Sequence, residues 1–378
     1  MSALKIEQFG LGDTVLRQRY DALFEACPNA YIQQSTLWAE AIKDLGPDEP
    51  IFLLAHVDGQ DLAGLPLYLY RQPTGNVLTS VPQPGPMGGV FVRDEVDAGK
   101  KREFYSALLQ RAEAMAREHQ CLSLTFITDP FTNDVGLYEE LLKPTYVFEN
   151  FTQSIPLKEV IADGKFTLKD YNKRSNLSRN VKKSHEAGFE VQTTTSKEVL
   201  HEWYPIHVAR HTEIGASPLR LDLFENILAV LGPKEKAHLL IIRKGGEIAS
   251  GCLYIHHRNI LDVFLLSMNT KYFEQAPNFL NTEQSMLWAA GKGMLQYNWQ
   301  SSPRRDSGVY RYKTQWGSKD IPYYFVTKLL VDAKVVAGIG LDTVKQKYPF
   351  HYVVPFAAFS EGFDKQRFQK CPPLAPQQ

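Results

Sequence analysis

Cysteine is scarce. Four occur in 378 residues (Cys27, Cys121, Cys252 and Cys371), far apart and without a C-x-x-C pair. That spacing excludes a disulfide framework and a thiolate zinc site, and it suits a reduced, cytoplasmic protein. Long apolar runs are missing as well. Nothing approaches the roughly 18–20 residues of a bilayer-spanning helix. The segment Met1–Phe9 carries charges where a secretory leader would be apolar. Charge of one sign is also absent, since 42 Lys and Arg balance 42 Asp and Glu to a formal net charge of zero. The molecule therefore has no overall field to attract a polyanion. DNA is not expected as a partner, and a nucleic-acid contact would need a local basic patch. The histidines have no acidic pattern around them, so no metal site is expected.

What is present points to two domains. A chain of 378 residues exceeds the usual span of one, and 44% hydrophobic with 22% charged residues is an ordinary globular balance. An internal repeat supports the division. Phe52-Leu-Leu-Ala-His-Val-Asp-Gly59 aligns with Leu239-Leu-Ile-Ile-Arg-Lys-Gly-Gly246, and Leu62–Arg71 aligns with Ala249–Arg258 without a gap. Gly59/Gly246, Gly64/Gly251 and Arg71/Arg258 coincide. Asp-Gly and Gly-Gly between β-rich runs mark tight hairpins, so each half is expected to hold the same hairpin.

Along the chain, Thr14–Ala26 has helical spacing and Ser35 caps a second helix, Thr36–Leu45. After the first hairpin come the irregular Pro82–Val90, a long helix over Lys100–His119, a strand at Cys121–Ile127 and a strand at Tyr146–Leu157. Arg179, Lys182 and Lys183 share one face of a helix that Gly188 ends, opposite Leu177 and Val181. That face reads either as a solvated basic surface or as a phosphate or tRNA contact. Lys197–Glu213 and Leu221–Leu231 read as helices, with Arg210 on the first as a candidate anion ligand. The second hairpin, His238–His257, leads to a strand at Asn259–Leu266 and to a helix capped by Asn278. Met294–Trp299 and Pro322–Leu330 read as buried strands. Between them, Ser301–Gly317 reads as a loop rich in hydroxyls and cations, and loops on rigid scaffolds often carry function. Residues after 331 read as an extension, with Val353–Phe359 apolar enough to dock.

This order resembles two successive GNAT acyltransferase folds. Three segments are similar to the FemABX family of peptidoglycan-bridge aminoacyltransferases and their FemAB-like and CelD-like relatives: the basic Tyr171–Gly188 stretch, Ala276-Pro-Asn-Phe-Leu280, and Gly308-Val-Tyr-Arg-Tyr-Lys-Thr-Gln-Trp-Gly317. The last resembles the family's Gly-x-x-x-Phe-Lys-x-x-Trp/Phe-Gly signature, with Tyr312 replacing Phe. The resemblance implies an α/β (α+β) fold of two tandem GNAT-like domains, each a mixed central sheet flanked by helices. The expected spans are 1–155 and 156–330, with an extension over 331–378.

By the same resemblance Lys313 is the working lysine, stabilising the acyl oxygen as an acceptor amine attacks. Asp306 is the candidate proton acceptor. Tyr310, Tyr312, Arg304, Arg305, Arg210 and Trp316 are candidates for substrate binding, and Arg179, Lys182, Lys183 and Asn278 for the donor's phosphates. The donor is aminoacyl-tRNA or acyl-CoA, with no tightly bound cofactor. A CoA-type GNAT carries a glycine-rich loop before its long helix, whereas Tyr272–Leu280 lacks those glycines and Pro277 removes an amide. The acceptor implied is a peptidoglycan-precursor, peptide or amino-sugar amine held between the domains. tRNA and peripheral membrane association are the further partners to consider. The competing readings are a CoA-dependent acyltransferase of polysaccharide or nucleotide-sugar synthesis and a degenerate, non-catalytic binding subunit.

Overall fold

The computed structural model describes residues 3–46, 48–81, 85, 87–167, 176–302 and 305–348. The chain packs as two compact units: one runs to Phe151 and resumes at Pro322, and the other is Thr152–Ile321. Sequence reading put the joins at 155/156 and 330/331. The chain returns to the first unit earlier because of strand pairing and docking described below.

The first unit contains β1 (Lys5–Phe9), α1 (Thr14–Ala26), α2 (Thr36–Ile42), β2 (Asp48–Val57), β3 (Gln60–Tyr70), β4 (Asn76–Thr79), β5 (Phe91–Val92), α3 (Ala98–Glu118), β6 (Cys121–Ile127), α4 (Val135–Leu142) and the start of β7 (Tyr146–Pro156). Asp13 and Ser35 cap α1 and α2 by accepting from Leu16 N and Trp38 N, as helix starts require. The sheet runs β1-β2-β3-β4-β6, antiparallel except for the parallel β4/β6 pair. Its core joins Leu53, Leu65, Leu67 and Leu124 to Phe104, Leu108 and Met115 of α3.

The second unit continues with α5 (Leu157–Val160), β8 (Ile161–Ala162), β9 (Lys165–Phe166), α6 (Leu177–Glu186), β10 (Glu190–Thr194), α7 (Lys197–Glu213), α8 (Leu221–Leu231), β11 (Ala237–Lys244), β12 (Glu247–His257), β13 (Ile260–Met268), a 3-10 turn (Thr270–Gln275), α9 (Pro277–Gly291), β14 (Gln296–Ser301), α10 (Gly308–Gln315) and the start of β15 (Lys319–Leu329). Its sheet runs β10-β11-β12-β13-β14 and is completed by the end of β7, antiparallel to β14. On one face α9 buries Leu280, Met286 and Ala289 against Leu240, Cys252, Tyr254 and Val263.

Beyond Pro322 the chain pairs with β6 in the first unit, Phe325 opposite Ile127 through Leu329 opposite Ser123. Two helices follow, α11 (Ala333–Ile339) and α12 (Leu341–Lys347). Val336, Val344 and Tyr348 pack on Tyr70, Val77, Leu122 and Tyr146, so this part of the expected extension is core of the first unit. Val353–Phe359 lies outside the described residues.

Two local expectations change. Ser301–Gly317 is not a plain loop, because Ser307 accepts from Tyr310 N and starts α10. Asn278 does not cap α9: Ala276 holds that place at φ 57° and Pro277 is the first helical residue, where a missing N–H costs nothing. Among the described residues no helix is long and apolar enough to cross a membrane.

The repeat is structural. Both hairpins turn through positive-φ pairs, Asp58-Gly59 and Gly245-Gly246, and both carry a bulge at the same place, after Ala55 and after Ile242. In each unit a glycine admits an aromatic side chain onto the strand. A Cβ on Gly64 would lie 2.5 Å from Phe91 and 2.9 Å from Tyr20, and one on Gly251 would lie 2.5 Å from Trp203. Gly251→Ala should cost about 1–3 kcal/mol in urea unfolding through overpacking. Gly291→Ala, with open space around it, should be neutral or mildly stabilising.

The first unit also buries a carboxyl. Tyr105 donates to Asp134, whose burial raises its pKa to about 6. A folded-state pKa above the unfolded one means that the cost is full above pH 6 and is relieved as pH falls toward 4. Asp134→Asn should therefore exceed wild type in stability at pH 7, with the gap narrowed to about half at pH 5 and closed near pH 4. A gap independent of pH would contradict this assignment.

Candidate functional site

The second unit has one feature that the first closes off. Parallel β13 and β14 pair only over Ile260–Asp262 and Gln296–Asn298, and then diverge. The extra residue Phe264 bulges β13 between the Leu253–Leu265 and Tyr254–Val263 pairs. At the fork, Thr152 Oγ1 donates to Asn298 Oδ1 (2.7 Å), and Asn298 donates to the buried Asp262. In the first unit the parallel pair extends further: Ser80 N donates to Thr125 O and Ile127 N to Ser80 Oγ.

Lys313 stands at the carboxyl end of β14. It lies on the inner face of α10, 7% exposed, and its Nζ donates to Gln300 O (3.1 Å) and Ser301 O (3.0 Å). Successive strand carbonyls normally point to opposite sides. Gln300 has φ +58°, which lets neighbouring carbonyls meet one ammonium. Burial alone lowers the Lys313 pKa to about 7, because lost hydration disfavours the charged form. Ammonium and amine are then both populated near neutrality. This side chain can hold a developing oxyanion when protonated, or accept a proton when neutral.

Around it the other candidates separate. Tyr312 is packed edge-on by Phe279 and Trp299 (5.2 and 5.8 Å between ring centroids), and its hydroxyl contacts Thr282 Oγ1 and Asn278 O. Trp316 is fully buried against Phe166 and Phe279. Both rings belong to the apolar core of the second unit. Arg305 Nε donates to Asp320 Oδ2 (2.8 Å), toward which Tyr310 also turns its hydroxyl. Asp306 is exposed on the turn before α10. Arg304 lies outside the described residues.

The basic face of α6 is solvated and partly neutralised: Lys182 faces Glu186 at 3.7 Å and Lys183 faces Glu274 at 3.5 Å, while Arg179 is exposed. Exposed pairs of this kind contribute about 1 kcal/mol or less. The start of α9 offers little to a pyrophosphate. Pro277 has no amide hydrogen, Phe279 N donates to Ala276 O, and the Asn278 side chain accepts from Ser250 Oγ. Arg210 pairs with Glu213 (2.6 Å) and lines an open pocket of about 360 Å³ with Pro205, Met268 and Asn269. Met268 ends β13 and Ser301 ends β14, so pocket and lysine lie at the same edge of this parallel pair. Among the described residues no cluster of His, Cys, Asp or Glu is placed to hold a metal.

Sequence reading missed Gln153, Gln300, Ser302 and the Thr152–Asn298–Asp262 chain. The available signal was polar: Thr152-Gln153-Ser154 is a hydrophilic run inside a strand, and all three are buried. Nothing in the sequence marks Gln300 for a left-handed conformation.

With [6-13C]lysine labelling, one lysine signal should titrate near pH 7 and vanish in Lys313→Arg. If every lysine titrates above pH 9, the buried geometry assigned to Lys313 is wrong.

Residues 172–314 match the family model described as "Acetyltransferase (GNAT) domain". Among solved structures, FemX aligns with a TM-score of 0.66 at 16% identity, covering 85% of this chain and 97% of that one. The C-terminal domain of an Agrobacterium fabrum protein named as a lysylphosphatidylglycerol synthetase aligns with a TM-score of 0.55 at 13% identity, covering 89% and 98%. A tandem GNAT protein from the clavulanic acid pathway aligns at 0.50 with 11% identity, covering 86% and 98%. No curated protein sequence matches the chain. The chain has a fold of two GNAT-like units and is similar in fold to FemX, and residues 172–314, within the second unit, match the GNAT acetyltransferase domain model.

Proposed function

We propose that the chain is an N-acyltransferase whose chemistry is carried by the second unit, with an amine of a cell-envelope precursor, peptide or amino sugar as acceptor. The observation that carries this reading is Lys313, a buried lysine on two carbonyls at the end of a diverging parallel strand pair. The acceptor nitrogen attacks the acyl carbonyl, a C–N bond forms, the C–O or C–S bond to the donor breaks, and the amine proton passes to the leaving group. Protonated Lys313 stabilises the oxyanion between these steps, an effect worth several kcal/mol in a water-poor site. Arg210 would hold an anionic group of the acceptor in its pocket.

Two donors are consistent with this reading. The family-model match over 172–314 favours acyl-CoA. The start of α9, where Pro277 has no amide hydrogen and Phe279 N is already used, favours a donor not gripped by its pyrophosphate, such as an aminoacyl-tRNA steered by Arg179 and Lys182.

Calorimetric titration with acetyl-CoA and, in parallel, with an aminoacyl-tRNA pool separates the two donors. Salt-sensitive binding of the pool alone selects the tRNA, and micromolar acetyl-CoA binding selects CoA. Lys313→Ala should lower kcat about 100-fold or more with the fold intact, by loss of oxyanion stabilisation. Undiminished turnover in that variant overturns the role given to Lys313.

A further inference from the structure

Gln153 lies in β7, fully buried, opposite an irregularity in β14. Asn298 pairs with Ser154 and Ser301 with Thr152, so Trp299 and Gln300 together face the single residue Gln153. This is a β-bulge, a device that re-aims backbone groups at the cost of a regular ladder. The re-aimed groups are the carbonyls of Gln300 and Ser301, which accept from Lys313.

The Gln153 carboxamide is bonded at both ends. Its Oε1 accepts from Ser302 Oγ (2.6 Å), the residue after the carbonyls in question. Its Nε2 donates to Thr314 Oγ1 (3.2 Å), the residue after Lys313, and to Ser318 Oγ (3.2 Å), just past α10. Thr314 gives its own hydroxyl proton to Tyr310 O (2.9 Å), so it must accept from Gln153. That fixes which end of the amide faces which partner. One side chain thus ties the end of β14, the helix that carries Lys313 and the turn behind that helix.

We propose that Gln153 is a positioning residue for Lys313: its carboxamide clamps the bulged end of β14 to α10 and sets the distance between the Lys313 ammonium and the carbonyls it meets. The inference deepens the reading of Lys313 given above and rests on it for its catalytic consequence. A carboxamide suits this task because it supplies one acceptor and two donors in a plane. A carboxylate of the same shape cannot donate to Thr314, whose lone hydroxyl proton is committed elsewhere. A buried group left opposite a mismatched partner costs the desolvation that its hydrogen bond had offset.

Gln153→Met preserves bulk and removes all three bonds, and Gln153→Glu preserves shape but sets oxygen against oxygen at Thr314. In both, water admitted around Lys313 should raise its 13C-lysine titration midpoint by about one unit or more. The acyl-transfer kcat should fall about 10- to 100-fold, the scale for a misplaced reacting group, with KM nearly unchanged. Thr314→Val, at an exposed position, should shift the midpoint in the same direction by less, and it carries the test where the Gln153 variants fail to fold. An unmoved midpoint in folded variants, with only thermal stability lowered, overturns the proposal. So does a Gln153→Met enzyme that turns over at the wild-type rate while Lys313→Ala is inactive. A shifted midpoint in a protein with no acyl transfer on any donor upholds the clamp and removes instead the function proposed above.

Discussion

An ammonium stripped of water keeps its charge only where other dipoles replace the solvent. In this chain the replacement is a pair of adjacent backbone carbonyls, those of Gln300 and Ser301, aimed at Lys313 by a left-handed residue. Much of the second unit is arranged around that contact. The bulge against β7 falls at those carbonyls, α10 carries the lysine, and the rings of Tyr312, Trp316, Phe279 and Trp299 pack on one another in the same unit. The compromise is visible in the pKa of about 7: two carbonyls do not fully restore the hydration of a lysine, so the group is left poised near neutrality.

The two units repeat one plan and differ where chemistry would need them to differ. Their hairpins share turn, bulge and an aromatic laid over a glycine. In the first unit, Ser80 extends the parallel pair through Thr125 and Ile127. In the second, the corresponding pair holds for three rungs, Ile260–Asp262 on Gln296–Asn298.

Much of the fold was readable because local rules and packing agree there. Thr14–Ala26 is a helix over the residues its apolar spacing indicates, and Lys197–Glu213 and Leu221–Leu231 are helices with the bounds the sequence suggests. The gapless match between Phe52–Arg71 and Leu239–Arg258 reports a true repeat, since a tight turn and a close aromatic contact both demand glycine. The lysine was legible through its Gly-x-x-x-Tyr-Lys-x-x-Trp-Gly context. Its burial was not, because a stretch dense in Ser, Arg and Lys reads as solvated and only tertiary packing turns Lys313 inward. The strand's return to the first unit at Pro322 was equally hidden, as nothing local tells a strand which neighbour it will pair with. The same holds for Gln153, whose meaning depends on residues about 150–165 positions away.

The central claim is that transfer depends on the charge of Lys313 in the free enzyme. The ratio of kcat/KM for wild type to that for Lys313→Arg, measured between pH 6 and 9, isolates that charge because arginine stays protonated throughout. It also cancels the titration of the acceptor amine. The account predicts a ratio that is flat below about pH 7 and falls about tenfold per unit above it, since kcat/KM reports the free enzyme's ionisations. A ratio that rises through pH 7, or does not change with pH, would show that Lys313 is not the cation on which the reaction relies.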